Sequence, residues 1–342
     1  MKTKTLISAL IIGAFLLCSC GGVNRKQQAG DLPVINLTRS HPRKELRLQD
    51  IATIEYVALE TTDDVLLGQH SMLSYVSDNY IVVFEFMLGD IFVFNRNGKI
   101  ISRFNHRGQG PMEYVRISGA GVIFDENAGE IFVFDVSTHR ILVYSISGEY
   151  KRTLRIPPDL FIGAERAHSF DDETILVYDG VRLTNSGTAY NEKPYLLLSK
   201  KDGSIVYSFD IRLPVRYINR TAIGVGTGSD RAYFPLSIST PNNRHFGQNF
   251  VIADISSDTI FLFTQNRVLT PLLVSTPSVH SSEPRRVLTS LLKTDTFILL
   301  QKTTLDFAAT QRGNNRTLSL VLMYETAYAQ SASCKKSSIF AG

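Results

Sequence analysis

Ile81-Val82-Val83-Phe84-Glu85, then Ile91-Phe92-Val93-Phe94, then Gly98: this order of runs returns fifty residues on. The second copy reads Ile131-Phe132-Val133-Phe134-Asp135, Ile141-Leu142-Val143-Tyr144 and Gly148, and no gap is needed to hold the register. Met87-Leu88-Gly89-Asp90 fills the interval in one copy, Ser137-Thr138-His139-Arg140 in the other. A β-branched and aromatic run of four or five residues reads as a strand, and the short interval as a hairpin turn. Gly98 and Gly148 turn the chain into the next strand, where a positive φ costs glycine little. Both faces of these strands are apolar, so each sheet must be covered on both sides. Small antiparallel sheets recurring about every 40 to 50 residues and stacked face to face are the blades of a β-propeller.

The pattern extends outward from this hairpin. Ser71 to Val76 opens the first blade and Ile100 to Phe104 ends it; Val122 to Asp125 opens the second, with a turn at Asp125-Glu126-Asn127-Ala128-Gly129. Thr174 to Asp179 repeats the strand motif, and its partner Tyr195 to Leu198 follows an insertion, with Lys201-Asp202-Gly203 turning into Ile205-Val206-Tyr207. Asn249 to Asp254 with Ser257 to Phe263 makes a fourth hairpin, Thr296 to Leu300 with Leu318 to Tyr324 a fifth. About 290 residues at a period near 50 predict six blades. The alternating run Ile51 to Glu60 precedes the first blade, and its Ile51 to Leu59 stretch is expected to close the ring by pairing near Leu318 to Tyr324. The Ser/Ala/Lys-rich tail from Ala329 is expected loose, with replacement of a missing strand in the last blade as the alternative.

The first twenty residues read as an address. Lys2 and Lys4 give a positive end, Leu6 to Leu17 an apolar stretch short for a bilayer, and Leu17-Cys18-Ser19-Cys20 looks like a bacterial lipobox. Residues 1–19 are therefore expected to be a lipoprotein signal peptide, 20–44 the lipidated Cys20 and a flexible tether, 45–328 the propeller and 329–342 the tail. Gly21 stands where an inner-membrane retention signal would place Asp. The stretch Gly22-Val23-Asn24-Arg25-Lys26 carries no acid, which favours the periplasmic side of the outer membrane.

Loss of Lys2 and Lys4 lowers the formal charge from +4 to +2, and the remaining basic residues are scattered, so no nucleic-acid surface is expected. Cys18 leaves with the leader and Cys20 is acylated, so only Cys334 remains and the mature chain forms no internal disulfide. Stability must come from a core, which the 44% hydrophobic content can build.

Three features together resemble a known family: Ile54-Glu55-Tyr56-Val57-Ala58-Leu59-Glu60-Thr61, the repeated hairpin, and Gly108-Gln109-Gly110-Pro111 with Glu113-Tyr114. They are similar to the six-bladed β-propeller lipoproteins abundant in Bacteroidetes, whose blades are NHL-like. The resemblance spans residues 45 to 160 most specifically. It implies a fold and a compartment but no reaction, and the family has glycine where this chain has Met112.

The loop His106 to Tyr114 is the best candidate site by composition. Two glycines bare backbone N–H groups, and Arg107, Gln109, Glu113 and Tyr114 add polar contacts suited to an anionic or sugar-like ligand. The other reading is a structural inter-blade crossover with Glu113 and Tyr114 turned inward, and the resemblance favours it, because the family repeats this loop as part of its blade. Ile223-Gly224-Val225-Gly226-Thr227-Gly228 lacks the Lys-Ser/Thr ending of a phosphate loop and reads as a plain loop. The seven histidines never fall at metal-ligand spacing, and no G-x-S-x-G occurs. The absence of tryptophan excludes WD40 blades. The expectation is an all-β, lipid-anchored cell-envelope protein that binds a small molecule, a glycan or an envelope protein. It touches the membrane through its N-terminal lipid and requires no cofactor or metal. The alternative is a lactonase-like, metal-dependent hydrolase or lyase with its site in the central funnel.

Overall fold

The computed structural model describes residues 32–39, 47, 49, 52–117, 121–135, 137–157, 160, 167–179, 181–184, 187–190, 192–215, 220–225, 232–237, 244–295, 297–305, 321–326 and 337–340. The chain divides into two compact units, Met1–Pro33 and Val34–Gly342. Leu32 and Pro33 alone are described in the first. The leader, Cys20, the cluster at His41 and Cys334 lie outside the described residues.

The second unit is all-β, with no α-helix among the described residues. After β1 (Val34–Asn36), five four-stranded antiparallel meanders follow one another. The first is β2 (Ser71–Val76), β3 (Tyr80–Glu85), β4 (Ile91–Asn95) and β5 (Ile100–Phe104). The second is β6 (Val122–Asp125), β7 (Glu130–Asp135), β8 (Arg140–Ser145) and β9 (Tyr150–Arg155). The third is β10 (His168–Ser169), β11 (Thr174–Tyr178), β14 (Tyr195–Ser199) and β15 (Ile205–Phe209), interrupted by the hairpin β12 (Val181–Thr184) and β13 (Gly187–Tyr190). A separate hairpin, β16 (Arg220–Val225) with β17 (Ala232–Ser237), precedes the fourth blade. That blade is β18 (Arg244–Phe246), β19 (Asn249–Ile252), β20 (Thr259–Phe263) and β21 (Leu269–Thr276). The fifth is β22 (Arg285–Lys293), β23 (Phe297–Leu305), β24 (Val321–Thr326) and β25 (Ser337–Phe340).

The doubly apolar strands explain the stacking. Alternate side chains of a strand point to opposite faces, so each central strand feeds two cores. Ile131 and Val133 of β7 pack with Val82, Phe84, Ile91 and Val93 of the first blade. Phe132 and Phe134, which alternate with them in sequence, pack with Ile175, Val177, Leu196 and Leu198 of the third. Leu176, Tyr195 and Leu197 then meet Phe250, Ile252 and Phe263 of the fourth blade. Val251, Ala253 and Ile260 meet Leu288 and Leu300 of the fifth. The opening strands β2, β6 and β10 lie side by side, as innermost propeller strands do. The fold is a β-propeller.

Three expectations change here. Residues 52–60 make no strand, and the predicted partner has no room for one: β24 is already flanked by β23 and β25. Val57 and Leu59 instead pack with Val65 over Ile81, Val83, Phe92 and Phe94, on the first blade's far face. Five four-stranded meanders are found among the described residues. Val34–Asn36, placed in the tether, pairs in parallel with β21 because Ile35 and Leu37 alternate into the core of the fourth and fifth blades. The tail contributes β25 to the fifth blade.

Candidate functional site

The loop after β5 is built as a joint between the first two blades. Tyr114 is fully buried; its hydroxyl donates to the Gly89 carbonyl at 2.6 Å and accepts the His106 amide at 3.0 Å. Burial pushes that hydroxyl's pKa well above the ordinary phenol value. Glu113 folds back on its own loop, its Oε2 accepting the Gly110 N–H at 2.8 Å. A Cβ at Gly108 would run into the same carboxylate, so the glycine is needed for close approach. Arg107 is exposed and spends Nη1 on the Met87 carbonyl at 2.8 Å; Gln109 is exposed. From the second blade, Tyr144 donates its hydroxyl to the Met112 carbonyl at 2.7 Å, and Arg140 Nη2 donates to the Glu113 carbonyl at 3.1 Å. Arg107, Gln109, Glu113 and Tyr114 therefore do not converge on a common pocket: two face solvent and two face inward.

A cavity of about 760 Å³ lies at the other end of the sheets. The His106 loop sits with the turns that join second to third strands, Met87–Asp90 and Ser137–His139. The cavity is lined by turns joining first to second strands: Glu126–Asn127, Asp171–Asp172 and Gly247–Gln248. In an antiparallel meander these two sets of turns fall at opposite ends. Ser74, Tyr75 and Val76 of β2, and β6 throughout, form its inner wall.

Two polar groups organise that wall. Glu126 accepts the Tyr75 hydroxyl at 2.8 Å and the Asn79 amide at 2.6 Å. Burial alone would raise the Glu126 pKa; bonds from Asn79, Ser77 and Tyr75 outweigh it and hold the carboxyl below its ordinary value. The Tyr75 hydroxyl is pushed up to about 12, by burial first and by Glu126 second. Lys200, 5% exposed, donates from Nζ to Asp125 Oδ2 at 2.6 Å, Ser169 Oγ at 2.9 Å and the Asp171 carbonyl at 2.6 Å. All three ammonium donors are thus consumed, and the lysine ties the second blade to the third without offering a cation to a ligand. Gln265 Nε2 bridges the Phe170 carbonyl at 2.8 Å and the Gln248 carbonyl at 2.5 Å, joining the third and fourth blades at the rim. Among the described residues no three His, Cys, Asp or Glu side chains are grouped to hold a metal ion.

None of these wall residues is adjacent in sequence to another blade's contribution, and each has a local reading as turn or strand. The one sequence signal was the recurrence of acidic turns, Asp125-Glu126 and Asp171-Asp172, between first and second strands.

Residues 32–280 match the family described as Domain of unknown function (DUF4934). The chain belongs to the DUF4934 family. The match covers four blades and β1 and stops before β22. No curated protein matches the chain. Among solved structures, a presumed exported protein of Bacteroides fragilis NCTC 9343 superposes with TM-score 0.59 at 12% identity, over 91% of this chain and 80% of that one. A member of the DUF4221 family from Bacteroides vulgatus gives TM-score 0.49 at 10% identity, over 80% and 82%. At 12% identity the likeness to the Bacteroides fragilis protein is one of fold alone.

Proposed function

We propose that this DUF4934 protein is an exported, lipid-anchored propeller of the cell envelope, acting as a binding module. The carrying observation is the cavity walled by the first three blades and the turns of the fourth. Its volume of about 760 Å³ lies within the range of about 300–1,000 Å³ typical of small-molecule sites. Its amides (Asn127, Gln248) and carboxylates (Glu126, Asp172), with Lys200 already consumed, favour an uncharged hydroxyl-rich ligand of the glycan class over an anion. The lipid-anchor part rests on Lys2, Lys4, the apolar leader and Leu17-Cys18-Ser19-Cys20. The exported neighbour of like fold supports that compartment. Cys20 is the proposed acylated residue, on the periplasmic side of the outer membrane.

The test is retention of fluorescent glycans by the soluble chain from Gly21 onward, compared with a Val76→Trp variant. Val76 lines the cavity and is 49% exposed, so an indole there obstructs the space without entering a core. The proposal expects retention by the first protein and loss in the second. Mass spectrometry of the membrane-extracted form checks the anchor: a diacylated Cys20 at the N-terminus is expected, and any other start contradicts it.

A further inference from the structure

Given the cavity as the binding site, the hydrogen-bonding state of its wall decides which groups of the ligand do the bonding. The strongest donors of the wall are consumed within the protein. The Tyr75 hydroxyl donates to Glu126 at 2.8 Å, and Lys200 spends its ammonium protons on Asp125, Ser169 and the Asp171 carbonyl. Both amide protons of Gln265 go to the Phe170 and Gln248 carbonyls, and the Ser74 hydroxyl goes to the Val122 carbonyl. Asn127 gives one of its two amide protons to Asp172 at 3.2 Å. What stays open on the donor side is neutral: the second Asn127 proton, the Ser169 hydroxyl and the amide of the exposed Gln248.

The acceptors stand the other way. Asp125, Glu126, Asp171 and Asp172 line the cavity with one lysine and no arginine, and that lysine, Lys200, is already paired with Asp125. Glu126 is engaged by Tyr75 and Asn79. Asp171 spends Oδ1 on the Glu173 amide at 2.9 Å and the Thr174 hydroxyl at 2.8 Å, and Asp172 spends Oδ1 on Asn127. Oδ2 of each takes no hydrogen bond among the described residues. A carboxylate oxygen only accepts, and a hydrogen bond to it is roughly twice as strong as a neutral one. The Asp171-Asp172 turn is therefore the strongest open bonding edge of the wall.

We infer that the cavity holds its ligand through the ligand's own hydrogen-bond donors, with sugar hydroxyls donating to the carboxylates of Asp171 and Asp172. This rests on the glycan-binding reading and narrows it. A hydroxyl at that place acts as a donor and not as an acceptor, so a cationic donor there binds at least as well. Ligand groups that only accept, such as sulfates, carboxylates and ethers, meet carboxylates there and gain nothing from the turn.

The probes are analogues of the neutral oligosaccharide that the intact protein retains most tightly, with one hydroxyl at a time exchanged. Fluorine in its place cannot donate; an ammonium group in its place only donates. Fluorescence competition gives the relative affinities. For at least one hydroxyl, the fluoro analogue is expected to bind at least about tenfold more weakly than the sugar, and the amino analogue at least as tightly. Asp172→Asn keeps an acceptor for Asn127, removes the charge and adds an N–H donor, so the ratio of amino to fluoro affinity should fall. Asp172 is exposed, and an unchanged unfolding midpoint confirms that the variant is folded. Fluoro analogues that all bind like the sugar, amino analogues that are all weakened, or an unchanged ratio in Asp172→Asn overturn the inference and leave the cavity as a glycan site. A protein that retains no neutral oligosaccharide overturns the glycan reading and this inference together.

Discussion

The Tyr114 hydroxyl lies 2.6 Å from the Gly89 carbonyl oxygen, so the aromatic ring of the glycine-rich loop is a bolt inside the first blade. Tyr114→Phe keeps the ring and leaves the Gly89 carbonyl without its donor and the His106 amide without its acceptor. The expected loss is about 1–3 kcal/mol in urea unfolding. Tyr114→Ala also empties the space of a fully buried ring and should cost about 3–5 kcal/mol. A Tyr114→Phe variant as stable as the parent would remove the loop's role as a joint.

Lys200 and Asp125, 2.6 Å apart and both buried, make the clearest pair for a double-mutant cycle. Lys200→Met leaves Asp125 buried and uncompensated, with an expected cost of about 3–5 kcal/mol. Adding Asp125→Asn removes the stranded charge and keeps an acceptor for the Ala128 amide. The double variant should therefore recover a large part of the loss. Thermal unfolding of the four proteins measures it.

Glu130 carries the acid-side prediction. Hydrogen bonds from Arg152 first, then Lys151, hold its carboxyl below the ordinary value of 4.5. A folded-state pKa below the unfolded one gives stability that is complete above the unfolded value and disappears as pH falls through the folded value. Glu130→Gln should thus be less stable than the parent by a constant margin at neutral pH. The margin should shrink once pH drops below about 4.5. Urea midpoints at a series of pH values would show this; a margin that widens in acid would contradict it.

Gly148 and Gly129 separate strain from contact. Both hold a left-handed backbone, at φ 87° and 61°, but nothing lies within 4 Å of a Cβ at Gly129. Gly129→Ala should cost only the backbone strain of about 1–2 kcal/mol. Gly148→Ala adds a collision with Phe104 and should cost clearly more. Equal losses would mean that Phe104 yields freely and that the turn is not seated on the neighbouring blade.

The strands were legible because their chemistry is local. Phe132, Val133 and Phe134 are apolar on consecutive positions, and only a strand covered on both faces buries them all. The partner of residues 51–60 was not legible, since alternation assigns Val57 and Leu59 to one face without saying which sheet they meet. Arg107, Gln109, Glu113 and Tyr114 have the composition of both a ligand loop and a joint. What separates these is the position of Gly89 and Met87, some twenty residues away in sequence. The cavity was invisible for a related reason: its wall runs from Ser74 to Gln265, and Lys200 beside Lys201 looks like one more solvated turn residue.

The central claim, that ligand binding belongs to the cavity and not to the His106 loop, is tested most directly by glycan retention in two single variants. Val76→Trp obstructs the cavity; Arg107→Ala trims an exposed side chain at the opposite end and should change stability by no more than about 0.5 kcal/mol. The account predicts that the parent and Arg107→Ala retain the same glycans with equal strength and that Val76→Trp retains none. Undiminished retention by Val76→Trp, loss of retention in Arg107→Ala, or no retention by the parent would contradict it.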